Sequence, residues 1–238
     1  MTCSSARRAV AEESVRVDVG EATLAGDLVL PACPGPRGHP RTRARGLVLF
    51  AHGSGSSRHS PRNRAVAAAL HEADLATLLI DLLTAGEDRI DAATGRLRFD
   101  IALLARRLGG VLDWLEARED TGRLATGLFG ASTGGGAALV AAADRPGRVR
   151  AVVSRGGRPD LAGSALARVL APTLLIVGGD DVPVIGMNRD AMARMTATVR
   201  LEIVPGASHL FEEPGALDRV AVLACEWFVR YLAAAEAS

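Results

Sequence analysis

The sequence predicts an α/β chain: a mostly parallel sheet of about eight strands with helices on both faces. Three observations predict it. From residue 47 onward, short apolar runs alternate with helical segments, the pattern of parallel strands joined by crossover helices. Two strand patterns near the N-terminus have no helix between them, which suits an antiparallel edge. The 238 residues fit one domain with a core large enough to need no disulfide.

Taken in order, residues 1–13 are expected to be frayed, and one domain is expected over 14–238. Val15 to Val19 alternates apolar and polar side chains, the period of a half-buried strand. Ala22 to Leu30 reads as a second strand, ended by Pro31. Residues 32–46, ACPGPRGHPRTRARG, read as a loop. Leu47 to Ala51 (LVLFA) is a buried-strand run. Ser60 then caps a helix with Pro61 at its first position, and RNRAVAAALHEA continues it. Ala76 to Leu82 is the next strand. Residues 99–118 form an amphipathic helix with a weak point at Gly109-Gly110.

Ala125 to Gly130 is a strand, Gly135 to Ala143 a helix of small residues, and Val149 to Ser154 a strand. Asp160 to Val169 is a short helix, and Thr173 to Val177 and Val199 to Val204 complete the strands. A last helix runs from Pro214 to Ala235 with one apolar side. Too little chain lies between Ser154 and Thr173 for a lid, so no cap domain and an open site are expected.

Composition excludes several classes. Aromatics make up only 3% against 48% hydrophobic residues, so Ala, Val, Leu and Ile must build the core. Lys+Arg 28 against Asp+Glu 27 lacks the basic excess of a nucleic-acid binder. Cys3, Cys33 and Cys225 form no CxxC pair and no metal-like cluster, and read as free thiols of a reducing compartment. The first 14 residues lack the apolar core of a signal peptide. No apolar run reaches the ~18 residues of a membrane span. A cytoplasmic protein without a membrane partner is expected.

The informative segment is Gly130-Ala131-Ser132-Thr133-Gly134, a G-x-S-x-G between a strand and a helix. A sharp reversal there would lift the Ser132 hydroxyl clear of the sheet. It leaves no room for side chains two positions before and after, hence glycine at both. The turn also puts the serine at a helix N-terminus, whose free N–H groups favour an anionic oxygen.

A serine hydroxyl needs a base, and the base needs an orienting acid. On such a sheet both follow the serine in the chain, in loops at strand ends. His39 lies in the Pro-rich loop, His71 late in a helix on what reads as a solvated face, and His52 and His59 before the serine. His209, in PGASHLFEEPG, falls between the last strand and the last helix. The acid should follow TLLIV, where Gly178-Gly179-Asp180-Asp181 stands; Asp181 is favoured and Asp180 competes. The oxyanion needs two donors: the Thr133 backbone N–H, and the Ser54 backbone N–H in the loop His52-Gly53-Ser54-Gly55. His52 reads as a brace for that loop.

With those segments in view, the chain resembles the α/β-hydrolase superfamily, in its dienelactone-hydrolase-like branch. LVLFAHGSGSSRHSPRN, ATLLIDLLT, GLFGASTGGGAAL, AVVSRGGRPDLAG, APTLLIVGGDD and IVPGASHLFEEPGAL carry the resemblance. It implies a capless fold, a cytoplasmic location, no cofactor and no metal, with Ser132 as nucleophile, Asp181 as acid and His209 as base. Some similar domains are fused to a phosphoribosyltransferase domain; none is read in these residues. Dienelactone hydrolases have cysteine at the elbow where this chain has Ser132, which favours ordinary ester chemistry.

The expected activity is cleavage of a small ester, lactone or thioester through an acyl-enzyme. A non-catalytic hydrolase-like scaffold and an acyltransferase are the alternatives. Arg58 and Arg62 follow one strand and Arg155 and Arg158 another, all in loops on the edge where such sheets bind ligands. Arg58, Arg155 and Arg158 are the candidates to bind an anionic group of a small-molecule substrate. The competing expectation is internal pairing with Asp88, Asp100, Asp160, Glu212 or Glu213.

Overall fold

The computed structural model describes residues 9–33, 41–42 and 44–233. Among these residues nine strands form one sheet: β1 (Ala9–Asp18), β2 (Thr23–Cys33), β3 (Arg41–Thr42), β4 (Leu47–Ala51), β5 (Ala76–Ile80), β6 (Thr126–Ala131), β7 (Val149–Arg155), β8 (Thr173–Gly178) and β9 (Val199–Val204). Six helices join them: α1 (Pro61–Glu72), α2 (Ala85–Thr94), α3 (Ile101–Ala117), α4 (Thr133–Asp144), α5 (Val182–Met192) and α6 (Ala216–Leu232). The strand order is β1-β2-β5-β4-β6-β7-β8-β9, with the two-residue β3 beside β2. The β2 pairings are antiparallel, and every pairing from β5 to β9 is parallel.

Burial explains the composition of the central strands. β4, β5, β6 and β8 are buried along their whole length, so both faces must be apolar. Leu47, Leu49 and Ala51 point into one core layer with α3 and α4, while Val48 and Phe50 point into the other with α1 and α6. β9 ends the sheet half exposed and carries Arg200 and Glu202, charges that discourage edge-to-edge pairing.

The helix starts follow local chemistry. Ser60 Oγ accepts from the Asn63 N–H and Pro61 takes the first position of α1. Asp100 caps α3 through the Leu103 N–H at 2.9 Å. The Gly-Gly pair does not interrupt α3; an added Cβ at Gly110 would lie 2.8 Å from Val19 Cβ, so glycine admits the end of the β1–β2 hairpin.

Several expectations need correction. β1 begins at Ala9, so residues 9–13 are strand rather than frayed, and 1–8 lie outside the described residues. Pro31 does not end β2, which runs to Cys33. The β2–β5 pairing ends at Val29, so Pro31 needs a ladder partner on the β1 side alone. The loop expected over 32–46 contributes Ala32 and Cys33 to β2, and β3; residues 34–40 and 43 lie outside the described residues. Asp160–Val169 is a 3-10 stretch, Pro159–Arg168, broken at Gly163. α2 and α5 had no counterpart in the sequence reading. Between β7 and β8 only that 3-10 stretch intervenes, and among the described residues no cap domain covers the sheet.

Candidate active site

The β6–α4 turn has the geometry that its glycines predict. Ser132 sits at φ 50°, ψ −121°, a conformation that costs a non-glycine residue of order 1–3 kcal/mol. Its surroundings hold it there. The Ser132 N–H donates to Arg155 O at 3.2 Å, and Ser132 O accepts from the Gly135 and Arg158 N–H groups at 3.0 and 3.1 Å. An added Cβ at Gly130 would stand 2.5 Å from Gly134 O and Gly135 Cα, and one at Gly134 would overlap the Ala51 and His52 carbonyls. The elbow therefore crosses the end of β4 with no space to spare.

That crossing brings the loop after β4 against the serine. An added Cβ at Gly53 would lie 3.1 Å from Ser132 Cβ. His52 braces this loop as expected. Its Nδ1 lies 2.9 Å from Gly53 O, and its Nε2 lies 3.0 Å from the Leu82 N–H. The Leu82 N–H can only donate, so Nε2 accepts and Nδ1 carries the proton. Burial lowers the His52 pKa, opposed by the Gly53 hydrogen bond, and keeps the ring neutral. Among the described residues no protein acceptor takes the Ser54 or the Thr133 backbone N–H. The first belongs to this loop and the second to the open N-terminus of α4.

His209 and Asp181 meet from two different loops. His209 Nδ1 lies 2.6 Å from Asp181 Oδ2, with the carboxylate mostly buried and the imidazole about one-third exposed. Gly178 makes the meeting possible, because a Cβ there would overlap the Ala207 and Ser208 carbonyls. Asp180 is exposed and joins the contact only through its N–H, which donates to Ala207 O. Gly156, at φ 51°, lies against the His209 backbone: a Cβ there would be 3.1 Å from His209 O. Phe211, at φ 57° and fully buried, anchors the His209 loop in the α1–α6 core. Ser208, next to His209, holds the Glu213 carboxyl below its ordinary pKa.

Ser132, His209, Ser54 and Arg155 line one cavity of about 210 Å³, together with Arg62 and Asn63. Arg58 and Arg158 are not among its lining residues. Arg58 donates its N–H and Nη1 to the Asp81 carboxylate, pairs through Nε with Asp27 at 3.5 Å, and faces a separate cavity of about 710 Å³. Arg158 holds Asp160 through Nε and Nη2 at 2.9 and 2.7 Å. Internal pairing thus takes Arg158 with Asp160 and Arg62 with Glu212, as weighed from sequence, whereas Arg58 takes Asp81 and Asp27 instead. His71 is not on a solvated face: it is half-buried, with Nε2 2.7 Å from Thr77 Oγ1. His59 contacts Arg64, and His39 lies outside the described residues. Asn63 and Phe211 went unread in the sequence, and Glu213 was read only as a candidate arginine partner. Asn63 alone had a signal, standing three residues after the cap Ser60 on the inward face of α1.

The family model for the alpha/beta hydrolase fold matches residues 46–175, more than half of the chain. A dienelactone hydrolase from Anabaena variabilis ATCC 29413 is 62% identical, with TM-score 0.88, covering 94% of this chain and 99% of that one. The chain is an α/β-hydrolase of the dienelactone-hydrolase-like branch. Est1E from Butyrivibrio proteoclasticus shares the fold of this α/β-hydrolase at 15% identity and TM-score 0.72, covering 91% of this chain and 98% of that one. Two Mycobacterium tuberculosis proteins, from strains CDC 1551 and H37Rv, are 56% identical over 221 residues and carry the provisional name phosphoribosyl transferase. The α/β-hydrolase chain is covered to 93% but spans only 47% of those relatives' length. Fold and family together support hydrolase activity. Among the described residues no His, Cys, Asp and Glu cluster could hold a metal, and no helix is long and apolar enough to cross a membrane.

Proposed function

We propose that this chain is a serine hydrolase that cleaves a small ester, lactone or thioester through an acyl-enzyme. The observation that carries the reading is the 2.6 Å His209–Asp181 contact on the same cavity as a strained, elbow-borne Ser132. A carboxylate on Nδ1 fixes the tautomer whose Nε2 can accept a proton.

Ser132 Oγ attacks the substrate carbonyl carbon and its proton passes to His209 Nε2. Asp181 stabilises the imidazolium. The carbonyl oxygen becomes an oxyanion between the Ser54 and Thr133 N–H groups, at the positive end of α4. Collapse breaks the bond to the leaving group, which takes the proton from His209. Water then repeats the sequence on the acyl-Ser132 ester, frees the acid and restores the hydroxyl. Dienelactone is the named substrate of the 62%-identical neighbour, and a lactone fits this cycle. A cytoplasmic setting belongs to the same proposal and agrees with a free, half-buried Cys225 thiol.

Ser132→Ala tests it. On model esters kcat should fall by at least about 10⁴-fold, with the melting temperature retained. A fluorophosphonate should add its mass to the wild type and not to Ser132→Ala. Undiminished esterase activity in Ser132→Ala would refute the assignment. An unlabelled wild type that still binds ligands would favour a non-catalytic scaffold. Ester products formed with an added alcohol would identify acyl transfer.

A further inference from the structure

β1 is one edge of the sheet, and its outer side is open. It pairs with β2 along its whole length, from Ala9 opposite Ala32 to Asp18 opposite Thr23. Among the described residues no strand lies on its other side. The hairpin fixes which backbone groups point outward. The Val19 N–H donates to Ala22 O at 2.9 Å. Odd-numbered residues of β1 therefore face β2, and the N–H and C=O groups of residues 10, 12, 14, 16 and 18 face away. An open row of this kind is a template for another strand.

The side chains on this edge are also unanswered. Glu12, Ser14 and Arg16 stand on one face of β1 and are exposed. Ser14 Oγ reaches Asp27 on β2 at 3.5 Å. Glu12 and Arg16 have no ion pair or hydrogen bond among the described residues. Glu13, on the other face, is taken by Arg118 at 3.0 Å. The opposite edge of the sheet differs. On β9, Arg200 Nε donates to Glu202 of the same strand, so those two charges answer each other.

A second copy of β1 fits this pattern in one register. Two antiparallel copies related by a two-fold axis place residues of the same face opposite each other, so the axis must pass through a residue. With the axis at Ser14, Glu12 lies opposite Arg16 of the second copy, and Arg16 opposite its Glu12. Both are outward-facing positions, so each pair exchanges two ladder hydrogen bonds. Directly opposed Cβ atoms then stand about 4.5–5.5 Å apart, within reach of an ion pair. Neighbouring registers are worse. An axis at Glu12, Glu13 or Arg16 sets that residue against its own copy, like charge on like charge. An axis at Val15 sets Glu12 against Asp18. The edge charges reject the shifted pairings and select one.

We propose that β1 is a self-complementary docking edge: two copies of this chain pair through it, antiparallel about Ser14, and join their sheets into one. The edge is independent of the chemistry at Ser132. A single strand pair makes a small interface, so the dimer is of micromolar strength.

Sedimentation equilibrium of the full chain at about 1 to 300 μM tests it, the range that brackets such a dimer. The wild type should be a monomer–dimer mixture. Glu12→Arg alone and Arg16→Glu alone should each weaken the dimer by about 10- to 100-fold, because each turns two attractive pairs into repulsive ones. Mixing these two variants should restore a dimer, formed from one copy of each. The double variant Glu12→Arg/Arg16→Glu should restore it as well. Exposed charges add little to folding, so melting temperatures should stay within about 2 °C of wild type. Arg200→Glu, on the far edge, should leave the dimer unchanged.

A wild type that stays monomeric over the whole range would overturn the docking edge. A dimer that keeps its strength in both single variants would do the same, as would one weakened by Arg200→Glu, which would put the contact at β9. Single variants that fail to pair with each other would overturn the register about Ser14.

Discussion

Arg107 and Arg155 are two arginines buried to nearly the same degree, 2% and 7% exposed, and they lead opposite lives. Arg107, on α3, is answered by two carboxylates and a carbonyl, although its Nε is buried without a hydrogen bond. Its Nη1 donates to Leu82 O at 2.7 Å and to Glu87 at 2.8 Å, its Nη2 to Glu87 at 2.6 Å, and Glu21 stands 3.5 Å from its Nε. Glu87 is itself the N3 member of the capping box that starts α2. Nearby, the buried Asp91 is met by the Leu97 and Arg98 N–H groups and by Arg98 Nε. Arg155 has the amide oxygen of Asn63 and the aromatic face of Phe211. The α2–α3 flank uses charge to hold elements in place. The rim around Ser132 carries the guanidinium groups of Arg155 and Arg62 beside a strained serine. Arg107 is a buried charge with a structural role, since carboxylates answer it.

The sharpest break in that comparison comes from the rim. Asp181→Asn should lower kcat/KM by about 10³- to 10⁴-fold, because an amide lets Nδ1 lose its defining partner, while urea unfolding changes little. A loss of less than tenfold would remove Asp181 from the orienting role. On the flank the effect inverts. Arg107→Met should destabilise the fold by about 2–4 kcal/mol, below the range for a fully buried pair because Glu87 keeps some contact with water. The ratio of anionic to neutral ester cleavage should then stay within twofold, as Arg107 does not line the Ser132 cavity.

The flank also carries a pH signature. Hydrogen bonds from Arg107, opposed by burial and aided by Thr84, lower the Glu87 pKa from 4.5 to about 2. The folded value lies below the unfolded one, so the stabilisation is complete above pH 4.5 and is lost as pH falls toward 2. The unfolding midpoints of wild type and Glu87→Gln should therefore converge between pH 4.5 and 2. A constant gap would deny the ion pair any weight. The smallest effect belongs to Asp180→Asn. This exposed neighbour touches the His209 loop only through its backbone, so kcat/KM should change by less than twofold.

Much of this was legible before any coordinates. Leu47–Ala51 and Val199–Val204 were read with their observed ends, because an uninterrupted apolar run or a strict strand bounded by turn residues is a local signal. The Ser60-Pro61 start of α1 was legible for the same reason. α2 was missed because Asp91 is its only buried residue and no apolar stripe marks it. Its real signal was the capping box Thr84-x-x-Glu87. α5 was missed because Gly186 lowers helix propensity; Pro183, in the first turn, is a start signal, and Val184 and Ile185 pack against Val177 and Leu201. The unaccounted stretch from 178 to 198 was itself a warning, since structureless loops of that length are uncommon.

The same division runs through the site. Gly130, Ser132 and Gly134 announce a tight reversal in the sequence alone, because the steric demand acts within five consecutive residues. Which aspartate meets His209 required Gly178 to bring together two loops that are 28 residues apart. Which arginine lacks an acid required all four environments at once, and the amide facing Arg155 is 92 residues away in the chain. Hydrophobic period and backbone sterics act locally and can be read one segment at a time. Charge pairing acts across space, and only the folded chain decides who stands next to whom.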